Sequence, residues 1–156
     1  MILTQVLLAS ALLVLTTTIH AAGMAVSFRW LKLLHTKRLE TVSMWIRSLA
    51  VGVLVLVMFV ATLIETSVWA MTYIVLGAIS TFEEALYFSM VTYSTLGYGD
   101  VVLGEQWRLL SSFQAANGIL MFGWTVSLII LAVHQISKTL KELGVVNRGW
   151  QKQGDK

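Results

Sequence analysis

Ala85-Leu-Tyr-Phe-Ser-Met-Val-Thr-Tyr-Ser-Thr-Leu-Gly-Tyr-Gly-Asp100 decides how the rest of the chain is read. Up to Gly99 the stretch carries no formal charge. It is nevertheless too short to cross a hydrocarbon core of ~30 Å, which takes about 20 helical residues. Such a segment fits a helix that enters the membrane and turns back. Its last six residues, Thr95-Leu96-Gly97-Tyr98-Gly99-Asp100, put glycine at alternate positions, where a positive φ costs little.

Longer apolar runs flank it. Ser48 to Ile79 is interrupted only by Glu65 and is too long for one upright helix, so it holds a tilted span and part of a connection. Leu109 to Ser137 lies between Arg108 and Lys138, and Met1 to Phe28 carries no formally charged side chain. Each of these runs can cross a bilayer. With 57% apolar residues, 12% charged residues and no proline, the composition is that of a membrane protein. Cysteine is absent, which excludes disulfides, thiolate metal sites and thiol nucleophiles. The expected fold is an all-α membrane protein of three transmembrane helices with one re-entrant helix. Its parts are an N-terminal helix (1–28), a basic loop (29–47), a helical module (48–137) and a short tail (138–156).

The basic residues orient this topology. Arg29, Lys32, Lys37, Arg38 and Arg47 fall between the first and second spans, and Lys138, Lys141, Arg148, Lys152 and Lys156 follow the third. Positive charge marks the cytoplasmic side, so the N-terminus and the region from Glu83 to Gln106 are expected outside and the C-terminus inside. The first segment could instead be a cleaved signal peptide ending near Ala21 to Gly23. Against this, it has no basic start and an overlong apolar run, and a basic loop follows it. Thr16, Thr17, Thr18 and His20 within a retained helix are expected to face other helices, because lipid would not solvate them.

The order helix, short re-entrant helix, glycine-rich loop, helix resembles the pore module of the potassium channel superfamily. Residues 85–100 look like that family's pore helix and selectivity filter throughout. Trp107 and Arg108 open the last span as in many bacterial members, and Gly118 falls where the family keeps a hinge glycine. The resemblance covers roughly Arg47 to Ser137. It implies a pore helix over 81–94, a filter over 95–100 and an inner helix over 108–137. It also implies a fourfold-symmetric homotetramer, in which three further copies and lipid are the partners, and a location in the cell membrane of a bacterium.

The chemistry of the loop can be stated without the family. A dehydrated cation needs oxygens that replace its water, and rings of backbone carbonyls with a threonine hydroxyl supply them without net charge. Thr95, Leu96, Gly97 and Tyr98 are expected to give these carbonyls, with the Thr95 hydroxyl at the inner end and Gly99 at the outer lip. Potassium is then the transported and bound ion. Tyr98 is expected to point away from the axis and pack against the pore helix. Relatives with a glutamate behind the filter differ from this chain, which has Val91 there, whereas Tyr87 can bond Asp100 and brace the outer filter. Thr81 with Glu84 reads as a capping box, with Ser80 and Glu83 as the other register. That helix would run inward and turn its partial negative end to the cavity. Glu83 and Glu84 either cap it or also gather cations at the mouth.

Four further residues stand out. Gly118 serves bending or close packing. Asn117 is expected to bond the pore helix, and Glu65 is expected to brace the structure through backbone donors near the pore-helix start or through Arg108. His134, near the inner end of the last helix, suits a proton sensor by residue type, although packing or facing water is the plainer role. There is no arginine ladder for voltage sensing, and the tail is too short for a ligand-sensing domain, with a helix end expected at Gly144. No triad, zinc-ligand cluster, phosphate loop or nucleic-acid motif is present, so neither an enzyme nor a nucleic-acid or soluble protein partner is expected. Selective potassium conduction is the leading function. The alternatives are a non-conducting regulatory protein with a pore-like fold and a weakly selective cation channel.

Overall fold

The computed structural model describes the backbone of residues 2–36 and 44–142, and the side chains of 2–32, 45, 49–75 and 76–135. Lys37, Arg38 and the residues from Leu143 onward, with Gly144, Arg148, Lys152 and Lys156, lie outside the described residues. So do the side chains of Arg47, Lys138 and Lys141. Four helices make up the described chain: α1 (Ile2–Thr36), α2 (Met44–Val75), α3 (Phe82–Tyr93) and α4 (Arg108–Glu142). Three are long and apolar enough to cross a membrane, over Ile2–Lys32, Leu49–Val75 and Arg108–Gln135. The region 29–47, expected as a loop, is helical at both ends. α1 runs on to Thr36 and α2 begins at Met44, because neither flank holds a residue that stops a helix.

The side-chain bonds fix how the long helices run. His20 meets Glu65 and Ser27 meets Met58, pairs in which one number rises as the other falls, so α1 and α2 are antiparallel. Gln5 meets Leu110 and His20 meets Thr125 with a constant offset, so α1 and α4 are parallel and in register. The face of α1 that makes these contacts is Gln5, Ala9, Leu12, Thr16, His20, Gly23 and Ser27, a spacing that repeats every eleven residues and keeps to one side of a helix. Gly23 lets α1 approach closely, since a Cβ there would lie 3.2 Å from that of Ala61.

Two apolar clusters fill the ends of the bundle. One, around Trp69, Tyr73, Phe88, Leu103 and Leu110, lies at the end carrying α3, and the other joins Leu54 and Met58 to Leu128 and Ala132. Buried polar side chains form the layer between them: His20, Glu65, Thr66, Ser89, Gln114, Asn117 and Thr16. Lipid tails are as apolar as leucine, so helix association in a bilayer rests on close packing and on polar contacts of this kind.

Candidate functional site: the loop that follows the short helix

α2 ends in a left-handed cap. Gly77 has φ 64°, its N–H donates to the Ile74 carbonyl at 2.9 Å, and the Ala78 N–H donates to the Tyr73 carbonyl at 2.9 Å. This 5→2 and 6→1 pairing is the usual way a helix is closed by glycine. The chain then turns back through Thr81, which caps α3 by accepting a bond from the Glu84 N–H at 3.3 Å. One half of the expected capping box is therefore formed. α3 spans 12 residues, about 18 Å, which is too short to cross the bilayer.

The far end of α3 repeats the α2 cap with a different residue. The Thr95 N–H donates to the Thr92 carbonyl and the Leu96 N–H to the Val91 carbonyl, each at 3.0 Å, so Thr95 occupies the left-handed position that glycine took at 77. Its φ is 61°, the only positive value for a residue other than glycine among the described residues. A β-branched residue there is strained by roughly 1–2 kcal/mol, and strain of this kind persists only where surrounding contacts hold it. Gly97 at 58° and Gly99 at 80° continue the pattern, giving positive φ at every second residue from 95 to 99. Such alternation turns successive carbonyls toward one side.

Contacts hold this loop at both ends. At one end the Tyr87 hydroxyl donates to Asp100 Oδ2 at 2.6 Å, the bond read as available from the sequence. That hydrogen bond holds the Asp100 carboxyl below the usual carboxylate range. At the other end Ser94 Oγ donates to the Val91 carbonyl at 3.2 Å, and Tyr93 is gripped from two sides. Its hydroxyl donates to Glu65 Oε2, and its carbonyl lies against Gly118, where a Cβ would collide with the carbonyl oxygen and come within 2.9 Å of the carbon. Close packing thus accounts for glycine at 118 without any bending.

Several expectations are corrected here. Glu65 bonds neither the start of α3 nor Arg108. Its partners are the Tyr93 hydroxyl and His20 Nδ1 at 2.9 Å, while the exposed Arg108 faces Glu105 at 4.0 Å. Asn117 does not bond α3 but donates to Thr16 Oγ1 on α1 at 2.8 Å. Thr16 and His20 are buried between helices as expected, whereas Thr18 is exposed and bonds back to the Val14 carbonyl at 2.8 Å. Tyr98 is 67% exposed in the single chain and Leu96 60%. His134 is exposed on α4. Gln114 went unread in the sequence. Its Oε1 accepts from the Tyr73 hydroxyl at 2.7 Å, and its amide donates to Ser89 Oγ at 2.6 Å, joining α2, α3 and α4.

A family model described as an ion channel matches residues 52–135, more than half of the chain, covering α2 from Gly52, α3, the loop and most of α4. The chain belongs to the ion channel family. Neither a curated protein nor a solved structure matches it. The matched part of the channel is the unit described above, with α3 and the 94–107 loop set between two spanning helices. α1, which supplies His20, Thr16 and Gln5 to that unit, lies outside the match. The channel is accordingly a membrane protein in which a helix beyond the matched module is bonded to its interior.

Proposed function

We propose that this channel conducts potassium selectively and passively as a homotetramer, with residues 95–100 as its filter. The alternation of positive φ at Thr95, Gly97 and Gly99 carries this reading, because it is the backbone that turns consecutive carbonyls to a common axis. Closing a ring of such carbonyls takes four chains around that axis. The exposure of Leu96 and Tyr98 supports the assembly, since in the tetramer neighbouring subunits cover both side chains. Thr95 supports the ion specificity: a strained β-branched residue at a glycine position is understandable if its hydroxyl completes the innermost potassium site. Tyr87 and Asp100 brace the outer end. The channel sits in the cell membrane with its N-terminus outside, as the basic residues of 29–47 and of the tail indicate.

Flux into liposomes holding the purified protein tests this. Potassium-selective, barium-blocked flux is the expected result. Flux that does not distinguish sodium from potassium would make it a general cation channel, and no flux from a tetramer would make it a non-conducting relative.

A further inference from the structure

The family match stops short of α1, yet α1 reaches the most constrained point of the pore module. His20 is wholly buried, with Nδ1 2.9 Å from Glu65 Oε1 and Nε2 3.2 Å from Thr125 Oγ1 on α4. Glu65 is wholly buried as well, and its second oxygen accepts from the Tyr93 hydroxyl. A carboxylate taken out of water needs hydrogen-bond donors, and these two side chains supply one to each of its oxygens.

Tyr93 is the last residue of α3 and stands two positions before Thr95. The next turn of backbone is the strained cap, in which the Leu96 and Gly97 N–H groups both point at the Val91 carbonyl, at 3.0 and 3.4 Å. If Tyr93 could slide, Thr95 could relax to an ordinary φ and the alternation would end. Two holds prevent sliding. One is the Gly118 backbone against the Tyr93 carbonyl, and the other is the bonded row His20–Glu65–Tyr93.

We infer that His20 and Glu65 are positioning residues for the filter loop, acting through the Tyr93 hydroxyl, so that α1 is a working part of the pore and not only an anchor. α1 is suited to this, being held along its length by Gln5 at the Leu110 N–H, Thr16 at Asn117 and His20 at Glu65. Loop conformation in a filter sets which cation fits. The inference therefore rests on the proposed function for its consequence in selectivity, but not for its structural content.

The test has two readouts on the full-length protein, amide exchange of residues 94–100 by mass spectrometry and the potassium-to-sodium permeability ratio in liposomes. Tyr93→Phe removes one hydroxyl and leaves the ring edge-on to Phe122 at 5.5 Å. We expect exchange at Leu96 and Gly97 to rise about fivefold to tenfold, with α1 and α2 unchanged, and the permeability ratio to fall. His20→Leu acts in the same direction. His20→Asn, which keeps an N–H where Nδ1 stood, restores both readouts to near the parent values. The inference is overturned if Tyr93→Phe or His20→Leu assembles with unchanged exchange. It is equally overturned if both variants fail to assemble while His20→Asn does, since the row would then hold the fold and not the loop. A parent protein with no potassium preference would fail the proposed function alone, because the exchange comparison does not depend on it.

Discussion

Gly118 on α4 lies flat against the carbonyl of Tyr93 at the end of α3, and no side chain fits between them. Backbone stands on backbone at this point, so neither partner can yield by a change of rotamer. Gly118→Ala is therefore expected to push the end of α3 away from α4 and to cost about 1–3 kcal/mol, as overpacking usually does. Thermal unfolding in detergent measures it. A melting temperature equal to that of the parent would show that the helices part freely and that the glycine is retained for another reason, such as bending.

The bond between Tyr87 and Asp100 predicts a pH dependence at the loop's outer end. Asp100 is held below the ordinary carboxylate value, so the bond's contribution is fully present above that value and is lost as pH falls through the lowered one. In Tyr87→Phe the titration should move up, toward the ordinary carboxylate value. Flux recorded against pH on the loop side, for parent and variant, should show decline beginning at a higher pH in the variant. Coincident profiles would disconnect this bond from conduction. Both groups are exposed, so little effect on folding is expected.

Gln114 bridges two buried neighbours, Tyr73 and Ser89, and Ser89 in turn donates to the Thr66 carbonyl at 2.7 Å. Replacing it with leucine leaves the Tyr73 hydroxyl without its acceptor in the apolar cluster. The expected cost is about 1–3 kcal/mol, seen as a lower yield of assembled protein and a lower melting temperature. Gln114→Glu, which keeps an acceptor for Tyr73, should be milder at low pH, where the carboxyl is protonated and can still donate to Ser89.

Ion exchange tests the loop as a binding site. A ligand that binds only the assembled state stabilises it by about 2.7 kcal/mol at a hundredfold excess over its dissociation constant. Replacing potassium by sodium is expected to lower the thermal stability of the oligomer, and Thr95→Gly, which relieves the strained φ but removes the hydroxyl, should weaken that difference. Equal stability in both salts would argue against potassium sites in the loop.

Much of this architecture was legible along the chain. Three long apolar runs, one of them broken by Glu65, gave the three spans, and the resemblance to a pore helix over 81–94, with Thr81 read as its cap, gave α3 to within a residue at each end. Glu65 and Asn117 were recognisable as polar residues that lipid would not accept, but their partners were not. His20 is 45 positions from Glu65, and Thr16 is 101 from Asn117. The eleven-residue stripe on α1 was the available signal, a row of residues that, apart from Leu12, are small or polar, on one face of an otherwise largely apolar helix.

Sequence by itself determined the solvent, the number of spans, the short helix and the glycines at 97 and 99, since these follow from local composition and backbone freedom. Tertiary structure alone decided that Thr95 takes a left-handed conformation, that Gly118 receives the Tyr93 carbonyl, and that His20 on α1 meets the Glu65 carboxylate to which Tyr93 donates. The division has a physical cause. A bilayer selects segments by their own transfer free energy, which can be summed residue by residue. A buried polar contact exists only when two distant side chains meet, and packing chooses which ones do.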